Sequence, residues 1–214
     1  MQLTPKVKGS LIAVLSVFLS ACNITKVPLT YCPASTHGAY TTKTLKVGAV
    51  YDDRHNEGDL TNDPREIGEF SWNKSIAPSI YYGTEPITNT VQTALNMSLQ
   101  QAGYKLTPVH PDRILYTRIV HTHLRLEAKN NLQRTLYSNI EVVFAVTAKP
   151  DDGRFTYHSP NQPVLWRKTM LGEGSVVVER GSVHKSDVKK AFNNATDDLL
   201  LQLERSQGFN RVLR

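Results

Sequence analysis

The stretch ILYTRIVHTHLRLEAKNNLQRTLYSNIEVVFAVTA, residues 114–148, decides the fold. Ile114, Tyr116, Val120, Leu124 and Leu126 fall in one register of a period of two, and Leu136, Ile140, Val142, Phe144 and Val146 repeat the pattern. Successive side chains of a strand point to opposite faces, so each row predicts one buried face. Lys129-Asn130-Asn131 between the rows supplies polar turn residues. The pattern predicts a long antiparallel hairpin, apolar on one side.

Two helices are expected to bracket this hairpin. Val91, Ala94, Leu95, Ser98, Leu99 and Ala102 recur at helical spacing, Thr88 or Asn89 stands where a cap is needed, and Gly103 stands where the helix should stop. Downstream, Ser186 or Asp187 is expected to cap a second helix with Val188, Ala191, Phe192, Ala195, Leu199 and Leu203 on one stripe. Residues 164–178 read as a further strand, and Gly172 and Gly174 within it point to a bulge. Leu45–Tyr51 has the short apolar run of a buried first strand. These elements predict an α+β fold, a two-layer sandwich of a mainly antiparallel sheet with two amphipathic helices on one face. Residues 56–85, punctuated by Gly58, Pro64, Gly68, Pro78 and Gly83, are expected to form a long loop.

The first residues follow another grammar. Basic Lys6 and Lys8 precede the apolar run Leu11–Phe18, which is far shorter than the ~20 residues of a spanning helix. Leu19-Ser20-Ala21-Cys22 follows, with two small residues ahead of a thiol. The expected organisation is a signal peptide over 1–21, a flexible linker over 22–44 (Pro28, Pro33, Ser35, Thr36), a single α+β domain over 45–205, and a basic tail over 206–214 that frays.

Composition narrows the classes. With 40% hydrophobic and 21% charged residues the chain builds a real core. Removal of Lys6 and Lys8 with the leader takes the formal charge from +6 to +4. That mild excess suits anionic lipid or glycan phosphate and is too diffuse for nucleic acid.

The tetrapeptide ending at Cys22 resembles the lipobox of bacterial lipoproteins. That resemblance implies cleavage before Cys22, acylation of its thiol with chains such as palmitate, and acylation of the new N-terminus. One acyl chain binds a membrane marginally, whereas several together hold a protein there effectively permanently. With Cys22 acylated, Cys32 is the one remaining thiol, so no intrachain disulfide is expected. Asn23 follows instead of the aspartate that retains enteric lipoproteins at the inner membrane, which implies the outer membrane, periplasmic face.

The whole pattern is similar to the YajG-like family of bacterial lipoproteins. The likeness rests on the lipobox, the strand running into Asp53-Arg54, the helix ending Leu99-Gln-Gln-Ala-Gly103-Tyr104, the hairpin, and the Gly172–Gly174 strand leading to the last helix. It implies location and fold rather than a mechanism. The expected role is a non-enzymatic binding or assembly component of the cell envelope. Rival classes are a carrier or sensor of a lipid or glycan, a regulator of peptidoglycan synthesis, and a hydrolase.

Several clusters invite a sharper chemistry. His121 and His123, at i and i+2 of a strand, share a face and could offer two imidazoles to a metal, with Glu141 on the partner strand as a third ligand. No further spacing supports that, so a polar solvent face and no metal are expected. Asp52-Asp53-Arg54-His55 with Glu57 and Asp59 fails the calcium-loop template, since Pro64 takes the closing glutamate position. Asp53 and Arg54 are expected to close the first strand by hydrogen bonds and an ion pair. Gly172-Glu-Gly174-Ser175 lacks the lysine of a phosphate loop, and neither a nucleophile elbow nor a His-Glu-x-x-His helix occurs. No catalytic residue and no cofactor are therefore expected. Arg180, Lys185, Lys189 and Lys190 cluster about the second helix, as a solvated face or as a site for anionic lipid or glycan phosphate. Trp72, Tyr81 and Tyr82, in the loop 56–85 with Phe70, are the candidate docking residues for another envelope protein, the alternative being that they fill the sandwich's own margin.

Overall fold

The computed structural model describes residues 24–31, 33, 41–54, 63–70, 78–128, 133–148, 163–179 and 183–214. Two sheets and three helices make up the described body. The strands are β1 (Ile24–Val27), β2 (Leu45–Asp52), β3 (Glu66–Phe70), β4 (Ser79–Gly83), β5 (Arg113–Ala128), β6 (Gln133–Ala148) and β7 (Val164–Glu179). The helices are α1 (Ile87–Gln101), α2 (Lys185–Arg205) and α3 (Gln207–Val212). The larger sheet has the order β2-β5-β6-β7 and the smaller one β1-β4-β3. This is the expected α+β sandwich, with a second small sheet added. Among the described residues no helix is long and apolar enough to cross a membrane.

The hairpin β5–β6 forms as predicted, antiparallel from Arg113 opposite Ala148 to Ala128 opposite Arg134. Its inner row, however, changes parity. Leu115, Thr117 and Ile119 face the core opposite Val146, Phe144 and Val142; past an irregularity between Ile119 and His121, Thr122, Leu124 and Leu126 take that face opposite Ile140, Ser138 and Leu136. An extra residue in one strand flips every later side chain to the other face. Ile114 and Tyr116, expected in one row with Leu124 and Leu126, therefore point the other way, where they form a separate small buried cluster with Ala145.

Gly172 and Gly174 mark no bulge. The β6–β7 register is continuous from Trp166 opposite Val146 to Glu179 opposite Gln133. The glycines are there because α2 crosses them: a Cβ at 172 would lie 2.7 Å from Leu199 Cβ, and one at 174 would lie 2.9 Å from Asn194 C. That close approach lets α2 side chains reach the free edge of β7. Gln202 Nε2 donates to Leu171 O (2.8 Å), Asn194 Nδ2 donates to Ser175 O (3.1 Å), and Glu173 N donates to Asp198 Oδ2 (3.1 Å). An edge strand whose outward backbone groups are satisfied in this way is a poor template for another strand.

Both helices bury the stripes expected of them. Val91, Ala94, Leu95 and Leu99 of α1, and Val188, Ala191, Phe192, Ala195, Leu199 and Leu203 of α2, are fully buried. Their starts differ from expectation. Pro86 precedes α1, whose Ile87 N donates to Pro64 O (3.0 Å). Asp187 reaches back to His184 N (2.9 Å), placing the cap of α2 at His184. At the end of α1, Tyr104 N donates to Leu99 O (3.0 Å) and Gly103 N to Gln100 O (3.1 Å), with Gly103 at φ 88°. That pair of hydrogen bonds is the Schellman closure, which favours glycine for its positive φ.

Three segments expected to lack regular structure have it. Within 22–44, β1 pairs in parallel with β4, Val27 is fully buried, Tyr31 Oη donates to Asp197 Oδ1 (2.6 Å), and Thr44 bonds Asp112 through N and Oγ1 (2.8 Å each). Within 56–85, β3 and β4 pair antiparallel, and Ile67, Phe70 and Tyr81 enter the core. The tail 206–214 folds into α3, with Phe209 and Leu213 fully buried and Leu213 O accepting from Thr42 N and Lys43 N (3.1 Å each). Tyr104 and Trp166 pack on Phe209, at 5.5 and 5.4 Å between ring centroids.

Candidate functional surface

The residues of the lipobox, Leu19, Ser20, Ala21 and Cys22, lie outside the described residues, as do Cys32, Trp72 and Arg180. Of the remaining candidates Tyr81 enters the core, and the fold distributes the others over separate surfaces.

Tyr81 is a core side chain. It is 5% exposed and stacks on Phe70 with centroids 5.3 Å apart, and burial raises its phenol above the usual range. A residue so placed cannot seat a partner, so the expectation for Tyr81 is corrected: the alternation of β4 turns it inward. Tyr82, next along β4, is half-buried on the other face, opposite Lys26 on β1 and Glu66 on β3.

His121 and His123 lie on the outer face of the large sheet, with Glu141 directly across from His121 and Asn139 across from His123. Both imidazoles are exposed, and their rings lie nearly parallel with centroids 6.1 Å apart. Partial burial, then the neighbouring His121 and Arg125, hold His123 below the usual imidazole value, while Glu69 pulls the other way. Among the described residues no group of three or more His, Cys, Asp or Glu side chains is disposed to hold a metal ion.

Asp52, Asp53 and Arg54 close β2 through two ion pairs. Arg54 forks onto both carboxylate oxygens of Asp52 (2.8 and 2.7 Å) and donates to Glu66 O (2.6 Å) and Thr122 Oγ1 (2.8 Å). Asp53 pairs with Arg118. One guanidinium thus ties β2, β3 and β5 together; His55, Glu57 and Asp59 lie outside the described residues.

The outer face of the large sheet combines these groups into one surface. Arg118, His121, His123, Arg125 and Glu127 run along β5, and Arg125 lies 5.0 Å over the Tyr137 ring while pairing with Glu127 (3.1 Å). On β7, Leu171 is 42% and Val177 is 51% exposed on the same face. A broad surface of charge, aromatic rings and isolated aliphatics can recognise another macromolecule. Leu171 and Val177 were not singled out from the sequence, although their outward phase follows from β7 pairing with β6.

The third surface surrounds β1, where Ile24 is 60% exposed and Lys26 is exposed, and takes in α2, which packs against β1 and carries Lys185, Lys189 and Lys190. Lys26 and Ile24 escape a sequence reading because Pro28 and Pro33 make the segment look like a linker and because Ile24 and Val27, the apolar residues of β1, lie on opposite faces, so no alternation marks the strand.

No protein-family model matches the chain, and no curated protein does. Among solved structures, the chain is similar to a protein of the DUF330 family from Xanthomonas campestris, with a TM-score of 0.52 at 14% identity over 88% of this chain and 96% of that one. A hypothetical protein from Chlamydia trachomatis matches with a TM-score of 0.43 at 8% identity over 83% and 99% of the two chains. A minor lipoprotein from Acinetobacter baumannii matches with a TM-score of 0.38 at 15% identity over 86% and 96%. The fold is thus shared with the DUF330 structure, and bacterial lipoproteins stand among the matches.

Proposed function

We propose that this chain is a lipoprotein of the bacterial envelope, YajG-like in type, anchored by acylated Cys22 at the periplasmic face of the outer membrane. Its body acts as a binding or assembly component rather than as an enzyme. The lipobox and Asn23 after it support the anchor and the setting.

The observation that carries the binding role is the outer face of the large sheet. Both helices pack on the opposite side, at Gly172, Gly174 and the core row, while Leu171 and Val177 remain open on the edge strand β7, across from Glu141 and Thr135 of β6. This face, with Tyr82 and Trp72 as further candidates, docks another envelope protein. Leu171→Glu with Val177→Lys tests it by photo-crosslinking in cells. The expected result is a folded protein that loses a crosslinked partner seen with the parent chain; a folded variant that keeps every partner would sink the reading.

A further inference from the structure

The start of β1 bears on how the body stands on its membrane. We propose that the pole formed by β1 and the first turns of α2 rests directly on an anionic lipid surface, with Ile24, Lys26, Lys185, Lys189 and Lys190 as its contact residues. This rests on the anchor at Cys22 proposed above and adds to it an orientation and a class of lipid.

Chain length limits how far the body can stand from the lipid. Two residues of extended chain span at most about 7 Å, so the acylated position lies within that reach of Ile24. Ile24 is already the first residue of a paired strand, opposite Ile80. A spacer of twenty residues would let the body float free, but here the sheet begins almost at the lipid. Nor can β1 swing away from the body. Val27 is fully buried, Lys189 Nζ donates to Thr30 Oγ1 (2.5 Å), Asn193 Nδ2 donates to Thr30 O (3.0 Å), and Tyr31 Oη donates to Asp197 Oδ1 (2.6 Å).

Those bonds also fix which pole meets the lipid. Thr25 on β1 lies opposite Tyr81, whose phenol senses the charge of Asp187 in the first turn of α2, whereas Thr30 is held by Lys189 and Asn193, further along that helix. Ile24, six residues upstream, therefore lies toward the end of the body where α2 begins. Lys185 and Lys190 are exposed there, Lys189 is half-exposed, and Lys26 is exposed on β1. Asp187, the acidic residue of this turn, is spent on the backbone of His184 (2.9 Å). The Debye length in physiological salt is about 8 Å, comparable with the reach from Cys22, so these ammonium groups sense the headgroup charge. Four lysines beside an anchored end complement an anionic leaflet, and exposed Ile24 enters the interface with them.

The test uses the whole acylated protein, in a Cys32→Ser background, in vesicles of phosphatidylethanolamine and phosphatidylglycerol. Spin labels are placed by Lys26→Cys and, at the far end of the large sheet, by Val109→Cys, which is 63% exposed. The label at 26 should sit in the headgroup layer and the label at 109 in water. Lys185→Glu with Lys190→Glu should lower the docked-to-free ratio by about fivefold or more per lysine, with the acyl mass unchanged. Equal water accessibility at 26 and 109, with acyl chains present by mass, would overturn the proposal and leave the anchor intact. Equal proximity in phosphatidylcholine vesicles would overturn the part assigned to the lysines. Absence of acyl chains would instead overturn the anchor itself.

Discussion

The backbone of Gly172 lies against the carbonyl of Ala195 in α2, with no room between them for a Cβ atom. The position a methyl would take is also 2.7 Å from Leu199 Cβ. Gly172→Ala must therefore push α2 off the sheet, and overpacking of this kind costs about 3 kcal/mol. The urea midpoint should fall with an unchanged slope; a stability equal to that of the parent would show that α2 does not cross the strand this closely.

Arg54→Lys should cost about 2 kcal/mol. The guanidinium serves Asp52, Glu66 O and Thr122 Oγ1 at once, and a single ammonium cannot reproduce the fork. Thermal unfolding measures the loss, and a lysine variant as stable as the parent would contradict the three-strand tie.

His123 makes stability depend on pH. Its folded value is held below the unfolded value of about 6.5, chiefly by partial burial, so the folded state disfavours the proton. Stability is therefore fully present above that value and declines as pH falls through it toward the folded value, because the unfolded chain binds the proton first. His123→Asn should flatten the urea midpoint across this window. An unchanged slope in the variant would assign the dependence elsewhere.

Tyr81→Ala should destabilise by about 3–5 kcal/mol, as aromatic truncation in a core does, because the ring stacks on Phe70 inside the body. Tyr82→Ala, half-buried on the other face, should cost far less. Calorimetry on the pair separates inward from outward tyrosine, and the reverse order would show that β4 has the opposite phase.

What the sequence revealed follows the range of the interactions involved. The α1 and α2 stripes were legible because helix contacts repeat every three or four residues, and every expected stripe residue from Val188 to Leu203 is buried. The hairpin was legible from its alternation, but not its parity: nothing local in Ile119-Val120-His121 announces an extra residue, and one is enough to move Ile114 and Tyr116 to the other face. Gly172 and Gly174 were visible, yet their reason is a helix some twenty residues downstream. β1 escaped because its partner β4 is more than fifty residues away, and α3 because its stability comes from Phe209 meeting Tyr104 and Trp166. The site was least legible, since Tyr81 and Tyr82 are adjacent in sequence and the strand sends them to opposite faces.

Attachment through lipid on Cys22 is read from the intact mass of the N-terminal peptide recovered from membranes. The mature chain should begin at Cys22 and carry the added mass of acyl chains, and Cys22→Ser should leave an uncleaved, unacylated precursor. A mature parent peptide without acyl mass, or unchanged acyl labelling in Cys22→Ser, would contradict it.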